Sequence, residues 1–94
     1  MFQRLAPQRV RHRSGFIVQI ASRESVELLQ TDGSVVRVEV EFGPVSSLHR
    51  ATLREEDRTG REVQVTEQRK DELMSQLKAG LEAMSGAAYE IVRT

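Results

Sequence analysis

The chain of 94 residues contains no cysteine, an absence that removes disulfide frameworks, thiolate metal sites and thiol nucleophiles together. Tryptophan is also missing, and the other aromatics are three phenylalanines and one tyrosine. A set this sparse does not supply the base-stacking platform with which RNA-recognition sheets hold single strands. No apolar run approaches the length a bilayer requires, and Arg4, Pro7, Arg9, Arg11 and Arg13 interrupt any secretory apolar segment at the start of the chain. A cytoplasmic protein with no membrane partner is the expectation. Glycine is scattered: the six positions Gly15, Gly33, Gly43, Gly60, Gly80 and Gly86 stand singly at breaks rather than together ahead of a helix, as a phosphate loop needs. The serines have no nucleophile-elbow pattern around them. His12 and His49 lie at no ligand spacing, so neither a metal nor a cofactor is expected.

Net charge is absent too, but only in sum. Residues 1–14 carry Arg4, Arg9, Arg11 and Arg13 and no acid, a balance of +4, which leaves −4 for the remainder. This opening has Pro7 to break a helix and no apolar periodicity, so it reads as a basic arm of extended tendency ahead of a single α+β domain over residues 15–94. In an extended chain Arg9, Arg11 and Arg13 share one side, with Val10 and His12 on the other. Such an arm is a solvated tail or a local salt-bridge donor. Its alternative use is to hold an anionic partner, nucleic acid included, and its composition also fits an organellar transit peptide. Apolar residues at 38% and charged residues at 30% describe a foldable chain, yet 94 residues leave stability marginal, and a partner or second copy would help.

The most legible stretch is Val26 to Phe42. Two alternating runs flank Thr31-Asp32-Gly33, and Asp-Gly between such runs is a strong hairpin signal. With Gly33 in the left-handed position that closes a three-residue loop, Gln30 faces Ser34, Leu28 faces Val36 and Val26 faces Val38, with Val40 and Phe42 continuing the core side. The other side then pairs Glu27 with Arg37 and leaves Glu39 and Glu41 toward water. A one-residue slip would set Glu27 against Val38 and Leu28 against Arg37, which argues against it. Upstream, residues 16–21 alternate Phe16, Val18, Ile20 with Ile17, Gln19, Ala21, and a short polar link predicts an antiparallel partner in which Ile20 meets Val26 and Ile17 meets Leu29. Ile17, Leu29 and Val35 then form an apolar row on the otherwise wet face.

Gly43-Pro44 ends the hairpin. Residues 48–53 read either as a strand with His49, Ala51 and Leu53 on one side, paired with residues 62–65 across a charged loop, or as a short capped helix; the strand is preferred. Glu55, Glu56 and Asp57, beside Arg54, Arg58 and Arg61, are expected to solvate one another. A helix over 67–84 is predicted from a Thr66 cap, acids Glu67 and Asp71 near its start, a stop at Gly86 and a stripe of Leu73, Met74, Leu77, Leu81 and Met84. Gly80 inside it implies close packing against the sheet or local looseness. Tyr89, Ile91 and Val92 suggest a final strand, with Tyr89 and Ile91 on the core side.

The order of paired strands, one helix entered through Thr66-Glu67, and a closing Tyr89-Glu90-Ile91-Val92 strand resembles that of small bacterial immunity proteins that bind and neutralise toxins. The resemblance covers roughly two thirds of the chain, contains no distinctive motif and implies action by protein contact, without assigning a role to any residue. The expected fold is therefore α+β, a mostly antiparallel sheet of about four to six strands with one amphipathic C-terminal helix on one face and a final short strand. No catalytic residue is assigned, because general acid or base work by Glu39 or Glu41 needs a cleft and a neighbour that moves a pKa. The expected function is non-enzymatic contact with another protein or a second copy through Ile17, Leu29, Val35, Glu27, Arg37, Glu39 and Glu41. The alternative is anionic-partner binding through Arg4, Arg9, Arg11 and Arg13.

Overall fold

Val26 faces Val38, Glu27 faces Arg37, Leu28 faces Val36 and Leu29 faces Val35 in the computed structural model, which describes residues 1–93. The register expected from the Asp32-Gly33 bend is the one formed. Gly33 adopts φ 91°, a conformation that side chains disfavour, and Gln30 and Ser34 close the loop through the Gln30 amide, which donates to the Ser34 carbonyl at 2.9 Å. Asp32 secures the bend by accepting from both the amide and the hydroxyl of Ser34.

The elements in chain order are β1 (Phe2–Ala6), β2 (Arg9–His12), β3 (Ile17–Ser22), β4 (Ser25–Leu29), β5 (Val35–Glu41), β6 (Ser46–Glu56), β7 (Glu62–Val63), α1 (Glu67–Ser85) and β8 (Tyr89–Val92). The fold is α+β: strands β1 to β7 follow one another as antiparallel neighbours, and β8 joins β6 in parallel, giving an eight-stranded curled sheet with the helix packed on it. This exceeds the four to six strands expected. The additional pair is the segment read as a basic arm, which enters the sheet as the β1–β2 hairpin, with Val10 opposite Val18 and Arg11 opposite Ile17. Val10, 2% exposed, is its one fully buried apolar side chain, a position that an arginine-rich sequence conceals, and Phe2 packs partly buried against the core. Phe2 and Phe16 close the same end edge-on, with His12 stacked on Phe16.

The core lies between the concave face and the helix. Val10, Val18, Val26, Leu28, Val36, Val38, Val40, Leu48 and Leu53 from the strands meet Leu73, Met74, Leu77, Leu81 and Met84 from α1, with Tyr89 at the side. Thr66 caps α1 by accepting from the Arg69 amide, and Gly86 ends it in the left-handed conformation. Gly80 is the point of closest approach to β3, facing Val18. Of its two expected meanings, close packing is the one realised. Phe42 departs from expectation: it is 41% exposed because β5 stops at Glu41 before the alternation reaches it.

Residues 48–53 are strand, part of the 11-residue β6, but they do not keep His49, Ala51 and Leu53 on one side. Leu48 and Leu53 are both buried although five apart, because β6 bulges between Arg37 and Glu39 of its partner. Thr52 replaces the missing ladder bonds: its hydroxyl accepts from the Glu39 amide at 2.8 Å and donates to the His49 carbonyl at 2.7 Å. The bulge turns Arg50 toward the helix, where it pairs with Glu67 at 2.9 Å and Asp71 at 3.0 Å. The charged loop is also shorter than expected. Glu55 and Glu56 belong to β6 and face Val63 and Glu62, and Glu55 is buried, accepting from Gln30 Nε2 at 2.8 Å beside Arg69. Asp57 organises the turn that remains by accepting from Thr59 and Arg61.

Candidate functional site

Because antiparallel partners point to the same side, the pairings of β1 to β7 define a row across the outer face: Gln3, Arg11, Ile17, Leu29, Val35, Glu56 and Glu62. Ile17, Leu29 and Val35 are adjacent at its centre, as their spacing predicts. All three are half-buried and lie outside the core cluster. The helix is on the opposite face.

One residue pair further along the strands runs a polar ladder. Arg9 Nε donates to Gln19 Oε1 at 2.9 Å, Gln19 Nε2 donates to Glu27 Oε1 at 2.8 Å, and Arg37 donates from Nε to Glu27 at 2.6 Å and from NH1 to Glu56 at 3.1 Å. Arg37 is thereby held charged even beyond its ordinary range, chiefly by its hydrogen bond to Glu27 and then by that to Glu56. The ladder fixes long side chains that would otherwise be mobile, so the rim beside the apolar row is preorganised.

Glu39 and Glu41 are not part of this constellation. They lie further along β5, opposite His49 and Ser47, and border an open groove of about 1480 Å³ with Ile20, Val40, Phe42 and His49. Glu41 Oε1 is 3.9 Å from His49 Nε2. Among the described residues no group of three or more His, Cys, Asp or Glu side chains could hold a metal ion, and no helix is long and apolar enough to cross a membrane.

The four arginines of the first segment separate. Arg9 and Arg11 lie on the outer face, with Arg11 donating to Gln3 Oε1, while Arg13 follows the end of β2. Arg4 is paired with Val10 and so points to the concave side, where its guanidinium donates to the Pro7 carbonyl at 3.1 Å and the Met84 carbonyl at 2.6 Å. It serves the C-terminal end of α1, whose own last turn has no basic residue.

Sequence reasoning placed the centre of the row but not its ends. By sequence alone Arg11 reads as part of the arm and Glu56 as part of a solvated loop; extending the register of the Ile17, Leu29, Val35 row one strand outward on each side is the signal that joins them. Comparison with family models, with curated proteins and with solved structures gives no match to this chain.

Proposed function

We propose that this chain is a small non-enzymatic protein that acts by protein contact through the outer face of its sheet. The observation that supports this is the Ile17, Leu29, Val35 row, which is apolar, contiguous and bordered by the Gln19, Glu27, Arg37, Glu56 ladder. An apolar centre with a charged, preorganised rim is the usual make-up of a contact surface. The test is photo-crosslinking in the producing cell from a benzophenone side chain at position 35. A crosslinked protein product that disappears with Leu29→Glu is expected. Absence of any product, or one indifferent to Leu29→Glu, overturns the proposal.

The anionic-partner reading draws on Arg9, Arg11 and Arg13, since Arg4 is engaged by two carbonyls. It calls for affinity that falls steeply with salt and vanishes in an Arg9→Ala, Arg11→Ala, Arg13→Ala variant.

A further inference from the structure

We propose that the occupant of the outer face is a second copy of this chain, related by a two-fold axis running along β4. The inference rests on the contact-surface reading above and names its partner.

The row has seven positions with Leu29 at the fourth: Gln3, Arg11 and Ile17 on one side, Val35, Glu56 and Glu62 on the other. Rotation about an axis along β4 reverses this order while keeping position along the strands. Leu29 then meets Leu29, Ile17 meets Val35, Arg11 meets Glu56, and Gln3 meets Glu62. Apolar groups meet apolar groups, and each terminal acid meets a donor. A foreign partner would need no such relation between the two halves of one row.

The outer face is the convex one, so the contact is closest at Leu29 and opens toward Arg11 and Glu56 at its edges. Strands lie about 4.8 Å apart, so Arg11 and Glu56 each sit roughly 10 Å from the axis. At the usual packing angle of about −30° they drift by roughly 5 Å, within the span of an arginine side chain. The adjacent ladder opposes Arg9 to Arg54 and brings the two Glu27 side chains together. Glu27 is answered within each copy by Gln19 and Arg37, and Arg54 by Glu62 at 3.5 Å; Glu56 likewise keeps its own bond to Arg37 at 3.1 Å, so Arg11 adds a second cation to a pair already made, and Arg9 facing Arg54 is a like-charge cost at the edge. Rotation about an axis across the strands would instead set Arg11 on Arg11 and Glu56 on Glu56, which like-charge repulsion disfavours. Three half-buried apolar side chains per copy make a contact at the small end of specific interfaces, so dissociation on the order of micromolar or weaker is expected.

Charge reversal provides the test, read by sedimentation equilibrium of the full chain. Arg11→Glu and Glu56→Arg are each expected to weaken self-association by about tenfold or more, since each places like charges together twice. An equimolar mixture of the two restores it, because both contacts of the heterodimer again join opposite charges. In one the introduced acid meets the introduced base, and in the other the native Arg11 meets the native Glu56. Melting temperatures of both variants are measured alongside. Should a reversal unfold the chain, Arg11→Gln and Glu56→Gln remove charge without reversing it and are expected to weaken association by about threefold each. Wild type that remains monomeric at about 0.5 mM, or a mixture no tighter than its components, overturns the second-copy proposal. If position 35 still crosslinks to a different protein, the contact-surface reading stands without it; if it crosslinks to nothing, both fall.

Discussion

Gly80→Ala would normally stabilise a helix, and here it should do the opposite. A Cβ built on Gly80 lies 2.5 Å from Cγ2, 2.6 Å from Cβ and 3.0 Å from Cγ1 of Val18, whereas carbon atoms rest at about 3.5–4.0 Å. The overlap is therefore roughly 1 Å. Val18 cannot rotate out of it: one of the overlapping atoms is its own Cβ, fixed by a strand paired on both sides with Val10 and Leu28. The helix must withdraw, loosening Leu77 and Leu81, both fully buried. Overpacking of this kind costs about 1–3 kcal/mol, while replacing a helical glycine returns about 1 kcal/mol. The net is a destabilisation of up to about 2 kcal/mol, toward the upper end because the overlap includes the immobile Val18 Cβ, or a fall in melting temperature of up to about 15 °C followed by circular dichroism. Val18→Ala removes two of the three overlapping atoms, so the double variant should be more stable than the sum of the single effects by about 1 kcal/mol. A Gly80→Ala protein melting at or above wild type would refute the close-approach reasoning, because that is the behaviour of an uncrowded helix glycine.

Two further outcomes follow from the polar contacts. Thr52→Val keeps the branched shape but removes the hydroxyl bridging Glu39 and His49, and should cost about 1 kcal/mol in urea denaturation, whereas Thr52→Ser should remain close to wild type; equal stability of the two would show that the bridge contributes nothing. Glu67 and Asp71 are both held below their ordinary values of 4.5 and 3.8, chiefly by hydrogen bonds from Arg50. A depressed carboxylate contributes stability that is complete above its unfolded value and lost as pH falls through its folded value, so the advantage of wild type over Arg50→Gln should be full above about pH 5 and shrink steadily as the pH falls through the depressed folded values. A difference independent of pH would mean that Arg50 acts through packing alone.

How much was readable depends on whether a local signal and the buried side agree. The β4–β5 register was legible because Asp32-Gly33 fixes the loop and both flanks alternate strictly, so any slip exposes valines. The helix was legible because its cap, stripe and stop coincide. By contrast, β1 and β2 present one buried valine among arginines, and the inward position opposite that valine is filled by Arg4, so alternation gives no apolar trace. In β6 the bulge inserts residues between Leu48 and Leu53, which destroys the period of two on which a strand reading depends. The buried Glu55 was hidden for another reason: its partners Gln30 and Arg69 are 25 and 14 residues away, and no pattern of acids announces a distant amide. The outer row inherits the same division, with its centre set by the two hairpins β3–β4 and β4–β5 and its ends by strands that local sequence does not declare.

Arginine is where composition misleads most, and the reason bears on function. Twelve of the fourteen cationic residues are arginine, and four of them fall in a segment without acids. Counted as charges, those four suggest phosphate. Counted as donors they suggest something else, because a guanidinium carries several N–H groups in one plane and can join elements that a lysine would reach singly. Of those four, Arg4 joins the β1–β2 turn to the Met84 carbonyl of the helix; elsewhere Arg37 joins Glu27 of β4 to Glu56 of β6, and Arg50 joins the β6 bulge to Glu67 and Asp71. Arg9 and Arg11 remain on the outer face: Arg11 is the cationic flank of a row whose opposite flank is Glu56 and Glu62, while Arg9 belongs to the adjacent ladder that ends at Arg54. A surface built to hold a polyanion would gain from cations on both flanks, since affinity grows with each phosphate neutralised. Opposite signs on the two flanks favour a partner carrying the same two signs in reverse order, and a second copy turned about β4 presents that order.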